Sequence, residues 1–274
     1  MQLLRTVAEL RATLAARRDV VLVTTMGNLH EGHLSLFDIA QRRNGFVVAT
    51  IFVNRLQFAP SEDFDQYPRT LTRDCELLAE TSCQLVFAPT ESEIYPEPQR
   101  YKIIPAPALG EILEGEVRPG FFTGVCTVVL KLFNLIQPAA AIFGKKDYQQ
   151  LLVIRNMIRQ LALPVELIAA ETIREASGLA RSSRNAYLSD AERLEAAQLS
   201  ATLRALVEDV RSGRRDWDAL ERGAMDSLRK RGWHPDYVAV RTQADLSSPV
   251  EGHPLVALAA GKLGRTRLID NLEI

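Results

Sequence analysis

Thr25-Met26-Gly27-Asn28-Leu29-His30-Glu31-Gly32-His33 is the stretch from which the rest of the chain is read, because it joins two segments of different period. Residues 20–23 before it are a short β-branched, apolar run. Leu34, Leu36, Phe37, Ile39 and Ala40 after it recur with helical spacing. Two glycines and two histidines therefore fall at a strand-to-helix junction, where unpaired N–H groups and the helix dipole favour an anion. Gly27 and Gly32 leave the main chain open to phosphate oxygens. His30 and His33 can donate hydrogen bonds to those oxygens and stabilise charge that develops during attack at phosphorus. Metal ligation is the competing use of the pair. Two neutral nitrogens with no nearby cysteine are a poor zinc set, and only Glu31 and Gly32 separate them where a zincin helix has three residues. Capping would explain either histidine alone; the pair with its glycines is better explained by phosphates.

Length and composition fit a globular enzyme. The chain has 274 residues, 47% hydrophobic and 24% charged, enough for one large and one smaller domain. A formal net charge of -1 removes the electrostatic reason to expect nucleic acid, so small ligands are the expected partners. Cys75, Cys83 and Cys126 are odd in number and form no C-x-x-C pair, which indicates neither a disulfide framework nor a zinc ribbon. Residues 1–6 lack a basic segment leading into a long apolar one, and no apolar run reaches spanning length. No secretory signal, no membrane partner and a cytoplasmic location are expected.

Along the chain, Thr6 and Glu9 have the spacing of a capping box, opening a helix to about 17. Residues 46–53 read as a parallel strand buried on both faces, 54–67 as irregular, 70–81 as a helix and 85–88 as a strand. Residues 89–123 are rich in Pro and Gly and hold only short elements. A helix over 125–136, a strand over 140–143, a helix ending near 163–164 and a strand over 165–169 complete the alternation. This order predicts an α/β fold, a doubly wound, Rossmann-like parallel sheet with ligands at the C-terminal strand ends. A second capping box, Ser189 with Glu192, opens a helix to about 212, followed by a helix around 217–230 and short strands at 237–241, 255–260 and 267–272. Residues 1–172 are thus expected to form the Rossmann-like domain and 173–274 a smaller α+β domain, with a linker near 172–188.

Five motifs stand in order: T-M-G-N-L-H-E-G-H at 25–33, I-F-V-N-R-L-Q-F at 51–58, Y-P-R-T at 67–70, G-K-K-D-Y-Q-Q at 144–150 and S-S-R-N-A-Y-L at 182–188. Together they closely resemble the pantoate–β-alanine ligase family, HIGH-type nucleotidyltransferases related to class I aminoacyl-tRNA synthetases. The resemblance implies a two-step ligation: pantoate attacks ATP to give pantoyl adenylate and pyrophosphate, then β-alanine displaces AMP. Matched by position, Met26, Gly27, Asn28, Leu29, His30, Glu31, Gly32 and His33 line the ATP site, with His33 as the catalytic histidine. Gly144, Lys145, Lys146, Asp147 and Ile173 contact the nucleotide, and Arg181, Ser182, Ser183 and Arg184 close over the phosphates. Gln57 and Gln150, with Asn54, hold the pantoate. Mg2+ accompanies the triphosphate, and the resemblance further implies a homodimer through the N-terminal domain.

The residue chemistry agrees. Lys146 as a point charge and Arg184 as a planar fork suit a pentavalent phosphorus. Ser182 and Ser183 can donate hydroxyl hydrogen bonds from a loop that Gly178 makes mobile, and Gln57 and Gln150 offer donor and acceptor to a hydroxy acid. Asp147 reads as a helix cap or a nucleotide contact; Asp74 reads as a magnesium ligand or a solvated helical carboxylate. Inside the motifs the chain departs from the family's usual residues. Thr24 stands for Pro, Asn28 for a small residue, Arg55 for Pro, Phe121 for His, Lys145 for Glu, and Arg181 for Leu or Met. Arg55 and Phe121 fall beside or within the expected acid and amine pockets. This leaves two alternatives: a relative using another small hydroxy acid or amine, and a nucleotide-binding protein without catalysis. Binding alone would not require His30, His33, Lys146 and Arg184 together. Aminoacylation of tRNA lacks an anticodon-binding region here.

Overall fold

The apolar runs become parallel strands. In the computed structural model, β1 (Gln2–Leu4), β2 (Val20–Thr25), β3 (Phe46–Ile51), β4 (Leu85–Phe87), β5 (Ala140–Gly144) and β6 (Glu166–Ala170) form one sheet in the order β1-β4-β3-β2-β5-β6. Every pairing in it is parallel. The structure describes all residues except Ser61 and Asp63; both belong to the stretch 54–67 read as irregular, and that reading lies outside the described residues at these two positions.

The connecting helices are α1 (Val7–Leu14), α2 (Glu31–Gln41), α3 (Leu71–Ala79), the one-turn α4 (Glu91–Ile94), α5 (Pro107–Gly110) and α6 (Glu114–Val117), then α7 (Phe121–Ile136) and α8 (Tyr148–Gln160). They cover both faces, and the strands sort their side chains with period two. Val20, Leu22, Val48, Leu85, Phe87 and Phe143 join the core under α1, α7 and α8. Val21, Val23, Val47, Ala49, Val86 and Ile142 join the core under α2 and α3. Cys83 and Cys126 are buried and Cys75 is half-buried, all free thiols packed as small apolar groups. Among the described residues no helix is long and apolar enough to cross a membrane.

The C-terminal part contains α9 (Asp190–Arg211), α10 (Trp217–Lys230) and an antiparallel sheet of β7 (Trp233–Thr242), β8 (Leu255–Leu263) and β9 (Thr266–Glu273). Both capping boxes form: Thr6 Oγ1 accepts from Glu9 N–H while the Glu9 carboxylate accepts from Thr6 N–H, and Ser189 and Glu192 repeat the exchange. The three strands are longer than the short ones expected, because both faces of this sheet are covered. Val238, Val240, Ala257 and Ala259 pack with α9 and α10, whereas Ala239, Val256 and Leu258 join the core of the parallel sheet. A buried ion pair adds a polar tie. Arg267 donates two hydrogen bonds to the Glu114 carboxylate (2.8 and 2.6 Å) and one to Asp236 (2.7 Å), and Tyr237 O–H donates to Glu114 (2.9 Å). Burial pushes the Glu114 carboxyl up, but the Arg267 hydrogen bonds and charge outweigh it and hold it below its usual range.

β2 is hydrogen-bonded to β3 on one side and β5 on the other, and the chain leaves in opposite directions from it. This is the topological switch point, where a crevice opens beyond the carboxyl ends of the strands. One wall of it depends on close packing. A Cβ at Gly124 of α7 would stand 2.1 Å from the Leu56 carbonyl oxygen, so α7 backs directly onto the 3-10 turn Arg55–Gln57. Gly124→Ala is expected to destabilise the fold by about 1–3 kcal/mol through overpacking. A lowered urea midpoint at unchanged m-value is the measurement; an unaltered midpoint would show that the turn gives way freely.

Candidate active site

Beyond β2, β3 and β5 lies a cleft of about 1490 Å³, counting its open mouth. Thr24 and Thr25 of β2 with Met26 after it, Thr50 of β3 with Phe52 just beyond its end, and Phe143 and Gly144 of β5 form its floor. Val125, Val128, Val129 and Leu132 of α7 make one apolar wall, with Gln57 and Gln150 also facing the space. His30, His33, Lys146, Asp147, Ile173, Arg181, Ser182, Ser183 and Arg184 line it as well.

The loop between β2 and α2 is left-handed at Gly27 (φ 85°) and Asn28 (φ 51°). Asparagine is among the few side-chain-bearing residues that tolerate this region. Asp74 of α3 holds the loop: fully buried, it accepts from Asn28 N–H (3.0 Å), Leu29 N–H (2.8 Å) and Thr70 O–H (3.1 Å). Asp74 is therefore neither the magnesium ligand nor the solvated carboxylate of the sequence reading; its oxygens are committed to main-chain donors and the Thr70 hydroxyl. Among the described residues no group of three or more His, Cys, Asp and Glu could hold a metal.

His30 caps α2, and its Nδ1 accepts from Gly32 N–H (3.1 Å), which leaves Nε2 as the protonated nitrogen of the neutral ring. The His33 ring lies 4.0 Å from it, centroid to centroid, and His33 Nδ1 is buried with no hydrogen-bond partner among the described residues. Burial, followed by the charges of Lys146 and Arg181, pushes His30 down to about 4. Burial, His30 and Lys146 push His33 down to about 3. Both imidazoles are neutral near pH 7, so lysine and arginine supply the positive charge.

Gln57 Nε2 donates to Met26 Sδ (3.2 Å), and its Oε1 accepts from Asn54 Nδ2 (3.1 Å). Asn54 borders the cleft, but its amide is engaged from within: it also donates to the Gly124 carbonyl (3.2 Å) and accepts from Tyr95 O–H (2.8 Å) and Leu56 N–H (3.4 Å). It lies at the cleft as expected and orients Gln57. The segment expected as a mobile lid touches the β2–α2 loop and α2 in this structure. Ser183 O–H donates to the Asn28 carbonyl (3.2 Å), Arg181 N–H to the Ile173 carbonyl (2.9 Å), and Arg181 pairs with Glu31 (2.7 Å).

Five expected nucleotide contacts lie off the cleft. Leu29 is core, Gly27 and Asn28 shape the loop, Glu31 turns to Arg181, and Lys145 pairs with Glu171 (2.6 Å) and Glu273 (2.9 Å). Asp147 precedes α8 without a side-chain cap bond and lines the cleft. Arg55 is outside it, paired with Glu91 (3.2 Å) and 3.9 Å over the Phe64 ring. Phe121 is in the wall, 3.7 Å under the Arg118 guanidinium. The threonines, Arg118 and the α7 stripe went unread, because strand-end threonines and a Val/Leu stripe at helical spacing carry the same signal in any core.

A doubly wound sheet with helix-start histidines, a lysine and a serine–arginine segment around its switch-point cleft defines a nucleotide-binding enzyme of the nucleotidyltransferase kind. A model of the family described as pantoate-beta-alanine ligase matches residues 2–273. The chain is 59% identical over 285 residues to a pantothenate synthetase of Leptothrix cholodnii, covering 100% of both sequences. A crystal structure of pantothenate synthetase from Thermus thermophilus superposes with a TM-score of 0.93 at 46% identity, covering 100% of this chain and 99% of that one. A pantoate-beta-alanine ligase from Francisella tularensis, complexed with beta-gamma ATP and beta-alanine, gives 0.86 at 30% identity over 100% and 97%. The chain belongs to the pantoate–β-alanine ligase family and is an enzyme with that ligase activity. This sets aside the non-catalytic reading.

The depressed histidines set a pH dependence. Unfolded, both protonate near pH 6.5; folded, they resist protonation down to about 4 and 3. Between these limits the unfolded chain binds more protons, so stability is complete above about 6.5 and falls as pH drops. Thermal melts of the wild type should decline from pH 6.5 to 4, and His33→Gln should decline less steeply. Parallel profiles would show that His33 is not held neutral.

Proposed function

We propose that this one cleft carries out both halves of the ligation, adenylation of pantoate by ATP and capture of the adenylate by β-alanine. The observation that carries the reading is the apolar α7 wall, Val125, Val128, Val129 and Leu132, lining the same cleft as two glutamine amides and a cationic, histidine-bearing rim. A branched hydroxy acid has the matching halves: methyl groups for the wall, hydroxyls and carboxylate for Gln57 and Gln150.

In the first step a pantoate carboxylate oxygen bonds to the α-phosphorus, the bond to the bridging oxygen breaks, and pyrophosphate leaves. Lys146 and Arg184 face the charge that builds on phosphorus, and neutral His30 and His33 donate N–H to its oxygens. In the second step the free amine of β-alanine attacks the acyl carbon, AMP departs and the ammonium proton is lost. With Asp74 committed to the loop, no protein cage is assigned to magnesium, which when bound with the triphosphate would offset its negative charge. Residues 1–172 bind acid and nucleotide, and 173–274 contribute Arg181 to Arg184 as the cover. A cytoplasmic homodimer completes the reading, supported by the free thiols and by Tyr101 and Ile104, exposed at 91% and 74% on the N-terminal part.

Pantoate-dependent ATP–pyrophosphate exchange tests the assignment. His33→Ala should lose on the order of a hundredfold or more in exchange rate while keeping its fold by circular dichroism. Near-normal exchange in the folded variant would remove His33 from the chemistry.

A further inference from the structure

Lys146 rides on the 3-10 turn Lys145–Asp147, which follows β5 and has no side-chain cap at either flank. Its support comes from far along the chain. The buried Asn271 amide of β9 donates to both the Lys145 and the Lys146 carbonyls, each at 2.9 Å. Two carbonyls converging on one nitrogen require two N–H donors, which an asparagine supplies without a charge. Two residues further on, Glu273 accepts from Lys145 Nζ (2.9 Å) and from Tyr148 O–H (3.1 Å), holding the same turn at its ends.

The preceding residue serves the opposite arm of the cleft. Asp270, buried, forms a two-point fork with Arg174 (2.7 and 2.9 Å). Arg174 also donates to the Asn271 carbonyl and to the Gly178 carbonyl, both at 3.0 Å. Gly178 is left-handed (φ 91°), and Arg174 and Ala180 form an antiparallel bridge, so this fork fastens the turn that delivers Arg181 to Arg184 to the cleft.

We propose that Asp270 and Asn271 are positioning residues that set the spacing between Lys146 and the Arg181–Arg184 arm. Adjacent residues of one strand hold the backbone of both. Neither lines the cleft floor beyond β2, β3 and β5; both line the adjoining cavity, which Lys146, Ser182 and Arg184 share with that cleft. A displacement of about 1 Å in such a group costs on the order of a hundredfold in rate, so loss of the Asn271 donors should slow chemistry more than binding. The inference rests on Lys146 acting in adenylation.

The test is pyrophosphate exchange in Lys146→Ala, Asn271→Asp and the double variant, which measures coupling directly. Asn271→Asp keeps the shape, removes the donors and turns a carboxylate on two carbonyls. It should lower exchange kcat about tenfold or more with KM for pantoate within about twofold. In the Lys146→Ala background the same change should add nothing. Equal loss in both backgrounds, a change in KM alone, or no loss would overturn the proposal and leave Asn271 a purely structural residue. Unaltered exchange in Lys146→Ala would instead overturn the role of Lys146 itself. Should Asn271→Asp fail to fold, Asn271→Ala removes the donors without adding charge and is read by the same outcomes. For the second arm, Asp270→Asn should speed hydrogen exchange across 174–184; unchanged protection would overturn that half.

Discussion

The Asp74 carboxylate is the tie on which the site depends. The chain must leave β2, turn through two left-handed residues and start α2, and the loop's own bonds, Gly27 N–H to Thr25 Oγ1 and Gly32 N–H to His30 Nδ1, leave two N–H groups between them to be met from another element. Asp74 meets them, accepting the Asn28 and Leu29 N–H groups in the protein interior, where a charge-assisted hydrogen bond is stronger than a neutral one and an abandoned donor is costly. His30 then falls at the cap and His33 in the first turn. The same fixed loop offers the Asn28 carbonyl to Ser183, so residues 181–184 rest on a surface that Asp74 has placed.

Charge is divided among groups that do not compete. Two imidazoles sharing a buried corner beside Lys146 do not take up a second proton, and they remain neutral donors. Lys145, one residue away, would add a redundant cation, but Glu171 and Glu273 draw it out of the cleft. Arg181 is partly offset by Glu31. A cation whose partners lie on another element is held in place by them, and through Glu273 the C-terminal sheet steadies the turn that carries Lys146.

What the sequence made legible was whatever repeats within a few residues. Period-two and period-3.6 apolar patterns, two capping boxes and a glycine-flanked histidine pair are local, and each marked its element. β1 was not legible, since three residues with one buried leucine carry no period and gain their strand character from β4 alone. The roles of Asp74, Asn54 and Asn271 were not legible either. Each is a polar residue whose partner is a backbone group brought near by the fold, and sequence spacing holds no record of that. Lys145 and Lys146 show the limit most sharply: identical neighbours on one turn, one facing the cleft and one facing Glu273.

The departures from the family's usual residues separate on the same physical ground. Asn28 occupies a left-handed position that asparagine tolerates, and Lys145 and Arg181 each meet a glutamate, so these substitutions bring their own compensation. Arg55 falls beside the expected acid pocket in sequence, but, stacked on Phe64 and paired with Glu91, it lies outside the cleft. Phe121 does reach the cleft. Its ring exchanges a hydrogen-bonding edge for an apolar face, and Arg118 lies over that face while its fork engages Glu62. A guanidinium held flat on an aromatic ring and bonded at its edge is fixed in orientation. At this corner of the cleft residue 121 therefore presents an apolar ring held under a fixed guanidinium, and not a hydrogen-bonding one.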